Sequence, residues 1–301
     1  MGGGAWTTRA FVNCMNTSGY STKLNSKGYA SSDDILTMNV QDFYRSRGLA
    51  KALDPYNVVR ECCDSEEHPN TVPIIFALDV TGSMGQSAKT CAGKLDEIMG
   101  ELYEEVKDVE FMMMGIGDLI FDQAPIQASQ FESDIRIFDQ TKQIFFEGGG
   151  GPNDWESYTT AWYFGLHNTK LDCWKRGKKG IIITLGDEEI NPTLDAARLN
   201  NRLGCNEQAD VDSADLYKEA SEKFDIYHIS ILDSGSHKMT RGNGELGEKI
   251  RNSWKKVIGQ GYLECNCDEL PETIREIVKD AVSRNSGNGT VEVTSDGFIK
   301  W

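Results

Sequence analysis

Asp79, Thr81 and Ser83 place one carboxylate and two hydroxyls at alternate positions of the run Asp79-Val80-Thr81-Gly82-Ser83-Met84. A tight turn there points all three oxygens the same way, and Gly82 relieves the crowding such a turn creates. Oxygen donors of this kind are hard ligands, suited to Mg²⁺, Mn²⁺ or Ca²⁺ rather than to softer transition metals. A pattern this short says little alone. Its place says more, because the apolar run PIIFAL (73–78) leads into it and a long amphipathic stretch follows. A second acidic residue, Asp187, falls just past another apolar run, GIIITL (180–185), and its neighbours Glu188 and Glu189 compete as solvated turn acids. A third strand end reads Gly115-Ile116-Gly117-Asp118, where Asp118 either supports the site or caps a turn.

Other chemistries fit the residues less well. Residues 81–85 read Thr-Gly-Ser-Met-Gly, so the first glycine of a nucleophile elbow is missing. A Ser83 nucleophile also needs a histidine beyond a late strand, whereas His228 sits inside one and His237 lies in a polar loop. An aspartyl phosphatase wants a second Asp two residues after Asp79, and Thr81 occupies that place. Gly148 to Gly151 is not followed by Gly-Lys-Ser/Thr, so it makes no phosphate-binding loop. Neither Cys62-Cys63 nor Cys265-Asn266-Cys267 has zinc-site spacing, and His68, His167, His228 and His237 are scattered.

Such a site must be positioned by alternating strands and helices. Strands are predicted at 73–78, 110–116, 144–146, 180–185 and 225–232, and helices near 87–107, 155–169, 209–223, 244–258 and 269–283. Short buried strands alternating with amphipathic helices predict an α/β fold, a doubly wound and mostly parallel sheet with helices on both faces. In such sheets ligands bind beyond the carboxyl ends of the strands, where Asp79, Asp118 and Asp187 fall. Met112-Met113-Met114 reads as strand core. Residues 1–71 read as an N-terminal extension with one helix over 32–52, residues 72–284 as the α/β domain, and 285–301 as a tail. In that tail Asp296-Gly297 would close a hairpin between 291–293 and 298–301, folded on its own domain or free to add to a partner.

The 301 residues are 39% apolar and 26% charged, enough for a large core. A net charge of -16 argues against nucleic acid and anionic membranes as partners. No apolar run approaches the roughly 20 residues of a membrane helix, and MGGGAWTTRA lacks the apolar core of a signal peptide. Gly2 is present, but Trp6 fills the position where a myristoylation signal takes Ser or Thr. The eight cysteines then read as free thiols in a reducing cytoplasm.

DVTGSM after a buried strand resembles the first element of the metal-ion-dependent adhesion site of von Willebrand factor A-type (VWA) domains, and the resemblance covers roughly 72–283. It implies that Thr81 and Ser83 bind a divalent cation directly, Mg²⁺ first and Mn²⁺ or Ca²⁺ as alternatives, with Asp79 acting through water and orienting the turn. It also implies that Asp187 is the outer carboxylate. The usual family form places that Asp straight after a Thr, whereas Leu185 and Gly186 intervene here, a form similar to the branch attached to alpha-type kinases. A second family loop supplies a Thr ligand. Registering Ala161-Trp162 on that loop's Ala-Leu puts Glu156 at the Thr position, with Asp154 and Asn153 as rivals and a helix-start acid as the plain alternative. The resemblance implies a non-enzymatic module in which an acidic group of a protein partner completes the metal shell. Family partners include AAA+ ATPases, kinases and subunits of large assemblies. A structural component of a phage particle, placing the chain in a virion, and a metal-dependent hydrolase are the other functions considered.

Overall fold

The computed structural model describes residues 48–134, 136–148, 151–234 and 244–285, together with four two-residue strands at 23–24, 30–31, 292–293 and 299–300. Its centre is a six-stranded sheet: β1 (Val72–Asp79), β2 (Val109–Ile116), β3 (Ile126–Ala128), β4 (Gly180–Gly186), β5 (Phe224–Ile231) and β6 (Tyr262–Cys265). The spatial order is β6-β5-β4-β1-β2-β3, with every neighbouring pair parallel except β2 with the edge strand β3. Helices connect the strands: α1 (Gln86–Glu105), α2 (Arg136–Thr141), α3 (Thr160–His167), α4 (Ala196–Leu203), α5 (Ser213–Ser221), α6 (Glu245–Ile258) and α7 (Leu270–Asn285). The fold is the doubly wound α/β sheet that the apolar periodicity predicts.

Alternation along the strands divides the core. Ile74, Phe76, Leu78, Ile181 and Ile183 face α1 and α7, while Ile75, Ala77 and Ile182 face α3, α5 and α6. The methionine run obeys the same rule, Met113 on one side and Met112 and Met114 on the other, all fully buried. Because both faces are covered, β1 and β4 can be apolar nearly throughout. Helix starts are set locally: Asp195 caps α4 by accepting from Arg198 N (2.7 Å), and Asp212 caps α5 by accepting from Ala214 N (2.9 Å) and Asp215 N (3.0 Å).

Three expectations change. Residues 144–146 do not form a strand, because the Gln127 side chain occupies the backbone of Phe145, donating to its carbonyl (2.8 Å) and accepting from its N–H (2.8 Å). The edge position goes to β3 instead. The helix expected from Trp155 begins at Thr160, since Trp155–Glu156 pairs in parallel with Glu189–Ile190. Of the helix expected over 32–52, residues 32–47 lie outside the described residues and Lys51–Leu53 forms a 3-10 turn. Strands β3 and β6 and helices α2 and α4 have no counterpart among the predicted elements. Residues before 72 also join the body: Arg60–Cys62 pairs in parallel with Thr169–Leu171, and Leu53 is fully buried. In the tail, Glu292–Val293 pairs antiparallel with Ile299–Lys300.

Candidate metal centre

β1 delivers Asp79 to the carboxyl rim of the sheet, and the chain then turns through the 3-10 segment Gly82–Met84 into α1. Gly85 makes the corner at φ 50°, ψ −127°, a conformation that a side chain resists. The turn is tied at its start: Asp79 Oδ1 accepts from Thr81 N (2.9 Å) and Thr81 Oγ1 (2.6 Å). Thr81 Oγ1 lies 3.1 Å from Ser83 Oγ, which donates to Asp187 Oδ1 at 2.9 Å. Asp187 enters from the end of β4, and its Oδ2 accepts from Ser234 at 2.8 Å.

Tyr158 joins the two loops. Its hydroxyl donates to Asp79 Oδ2 (2.6 Å) and accepts from the backbone N–H of Asp187 (3.1 Å) and of Glu188 (3.2 Å). Gly186 makes room for it, since a Cβ at that position would lie 2.2 Å from the Tyr158 hydroxyl. The two residues that separate Asp187 from the usual family spacing therefore include the glycine on which this arrangement depends. Below the tyrosine, His228 is fully buried, stacked on Trp254 at 3.6 Å between centroids and 2.8 Å from Thr184 Oγ1 through Nδ1. Trp254 Nε1 in turn donates to the Glu188 carbonyl (3.0 Å).

The electrostatics are one-sided. Asp79, Thr81, Asp187 and Ser234 are fully buried, and Ser83 is the partly exposed member. Burial, then the neighbouring Asp187, pushes the Asp79 carboxyl up to about 7. Glu156 is 5% exposed, and its Oε2 has no hydrogen-bond partner among the described residues. Burial, followed by Asp79, Asp122, Asp118 and Glu188, pushes its carboxyl up to about 11. No described Lys or Arg forms an ion pair with Asp79 or Glu156.

Asp79, Thr81, Ser83 and Asp187 thus come together as one hydrogen-bonded chain, and Glu156 lies within electrostatic reach of Asp79. Its rivals are occupied elsewhere: Asn153 donates to Asp118, and Asp154 meets Lys249 at 2.9 Å on the surface. Asp118 caps a turn, accepting from Ile120 N (2.6 Å) and Phe121 N (3.1 Å). Glu189 also pairs with Lys249 (2.6 Å). Sequence reasoning missed Tyr158 and Ser234. Ser234 follows β5 at the same rim, so the rule that ligands gather at strand ends points to it. Nothing local marks Tyr158.

The donor set suits a hard cation. Two hydroxyl oxygens, of Thr81 and Ser83, lie beside the Asp79 and Asp187 carboxylates, and the orphaned Glu156 Oε2 adds a further oxygen. Among the described residues no three His, Cys, Asp or Glu side chains cluster at metal-ligand spacing, so a cation here depends on hydroxyls as much as on carboxylates. Replacing Glu156 with glutamine should raise the melting temperature of the EDTA-treated protein, roughly 2–4 °C per kcal/mol of relieved burial cost, while shrinking the rise that Mg²⁺ induces. Identical melting temperatures and identical rises would show that Glu156 does not face the cation.

No protein-family model matches the chain, and no curated protein is similar to it in sequence. The solved structures similar to it include von Willebrand A-type domains. The vWF domain of the type V pili tip protein Mfa5 from Porphyromonas gingivalis matches over 74% of this chain and 98% of its own, at 11% identity and a TM-score of 0.46. The open conformation of the pilus adhesin SpaC from Lactobacillus rhamnosus GG matches over 76% of this chain at 12% identity and a TM-score of 0.49, and the chain spans 31% of that adhesin's length. Proximal thread matrix protein 1 of the mussel byssus, with a zinc-occupied MIDAS motif, matches over 73% of this chain and 48% of its own, at 15% identity and a TM-score of 0.44.

Proposed function

We propose that the chain is a VWA-type binding module that holds a divalent cation, Mg²⁺ or in its stead Mn²⁺ or Ca²⁺, and takes up an acidic side chain of a protein partner on it. Thr81, Ser83, Asp79, Asp187 and Glu156 would hold the ion. Bound there, the ion supplies a fixed positive charge at a rim otherwise crowded with carboxylates. The observation that carries this reading is the convergence of hydroxyls and carboxylates: Thr81 Oγ1 lies 2.6 Å from Asp79, Ser83 Oγ lies 2.9 Å from Asp187, and the two hydroxyl oxygens lie 3.1 Å apart toward the partly exposed end of the site.

A binding role rather than catalysis is part of the proposal. Ser83 meets Asp187, and His228 is held between Thr184 and Trp254, so no histidine among the described residues hydrogen-bonds the Ser83 hydroxyl. A screen of phosphatase, nuclease and esterase substrates with Mn²⁺ is expected to stay at background, and turnover abolished by Ser83→Ala would overturn the reading. The Gly186-Asp187 strand end and Glu156 support the finer likeness to the alpha-kinase-linked branch, and with it an ATPase, a kinase or an assembly subunit as partner. A cytoplasmic setting belongs to the same proposal and rests on composition, whereas a virion belongs to the alternative of a particle component. Capture of partners on immobilised protein, with Mg²⁺ and with EDTA, tests the core of it: the same bound proteins in both eluates would refute metal-dependent recognition.

A further inference from the structure

The amino ends of the strands carry a second polar concavity, on the rim opposite the metal centre. Glu110, at the start of β2, pairs with Pro73, whereas Asp79 pairs with Ile116 six residues further on, a separation of roughly 20 Å at about 3.3 Å per residue. The cavity has a volume of about 330 Å³; six of its eleven lining residues are Asp or Glu and none is Lys or Arg. That size is within the range that takes a small ligand.

Three of those acids are already paired with bases outside the lining: Glu61 with Lys170, Asp64 with Arg176 and Glu132 with Arg136. Glu110 is not. It is partly buried, it accepts from the Cys62 thiol, and burial raises its carboxyl above the usual range. His68 supplies a second, independent observation. It is 8% exposed and lines the cavity, and neither ring nitrogen makes a hydrogen bond among the described residues. Its backbone is fixed by Ser65, whose hydroxyl accepts from His68 N (3.0 Å), and its Nδ1 is turned to Asp108 Oδ1 at 3.5 Å. Nε2 is likewise left buried without a hydrogen-bond partner among the described residues, which is costly unless a ligand supplies one.

Glu110 and the rim acids offer acceptors and negative charge, so a matching ligand carries donors and is positively charged. The acceptors are spread around the lining, with no three His, Cys, Asp or Glu side chains at metal-ligand spacing among the described residues. An extended organic cation suits that spread, since its N–H groups reach separated acceptors while its carbon atoms lie on the largely buried Phe131 wall. From these residues we infer that the cavity lined by Glu110, His68 and Phe131 is a binding site for an alkylammonium or guanidinium group, borne by a free polyamine or by a basic side chain of a partner.

The test is calorimetry on the full chain with two probes, spermidine and N-acetyl-arginine amide, at low salt. At least one is expected to bind saturably at one site, unchanged by Mg²⁺ or EDTA, so that this inference and the metal-dependent reading fail separately. Glu110→Gln and His68→Phe should each weaken binding about fivefold or more. The charge-matched change Glu272→Gln, on α7 and away from the cavity, should leave affinity within about twofold. Melting curves confirm folding, and either cavity variant suffices if the other is unstable. The tighter probe identifies the source of the cation. Absence of saturable binding by both probes, or equal weakening by Glu272→Gln and the cavity variants, would mean that the protein's net charge of -16 merely gathers counter-ions.

Discussion

Asp79→Ala is expected to lower Mg²⁺ affinity at least tenfold, about 1.4 kcal/mol, measured by calorimetry. Two effects add. The mutation removes a carboxylate beside the ion and releases the Thr81 N–H and hydroxyl, the two groups that fix the turn presenting Thr81 and Ser83. Asp79→Asn separates them, since the amide oxygen can still accept from Thr81 while the charge is gone. A loss shared equally by both variants assigns the effect to charge, and a much larger loss in the alanine variant assigns it to the turn. Wild-type affinity in Asp79→Ala would remove this residue from the site.

Gly186→Ala is expected to damage the protein more broadly. The added methyl would lie 2.2 Å from the Tyr158 hydroxyl and 2.4 Å from its Cε1, and the ring cannot swing away without leaving Asp79 and the Asp187 and Glu188 amides. Overpacking of this kind costs about 1–3 kcal/mol, and in a domain of this size each kcal/mol lowers the melting temperature by roughly 2–4 °C. Tyr158→Phe removes the same three hydrogen bonds without the clash, so it should weaken Mg²⁺ binding with a smaller fall in melting temperature. A Gly186→Ala protein with wild-type melting temperature and Mg²⁺ response would show that the tyrosine does not hold the rim together.

Much of the frame was legible because burial on both faces leaves a plain mark. The runs PIIFAL and GIIITL became β1 and β4 within one or two residues of their expected ends. Residues 144–146 carry the same apolar signature yet form no strand, since a single glutamine amide, from Gln127, satisfies Phe145 as a neighbouring strand would. Sequence periodicity cannot register that substitution of side chain for backbone. The Asp79-Thr81-Ser83 turn was readable because its geometry is local. Tyr158 was not, because its role depends on partners 79 residues before it and 29 after it. The sequence leaves Glu156 as either a ligand or a helix-start acid. The second option is gone, as the residue lies in a short strand beside Glu189–Ile190 and precedes the helix.

The contact between Gly186 and Tyr158 also has an evolutionary meaning. Neither residue can change alone without filling the other's space or abandoning three hydrogen bonds, so the two positions should vary together in chains that descend from the same ancestor. A descendant that gains a side chain after the equivalent of Leu185 should have exchanged the aromatic hydroxyl for something smaller, and with it the two-residue offset of the acid that follows β4. The pair is thus a covariation marker, by which relatives that share this particular construction could be told from those that merely share the sheet.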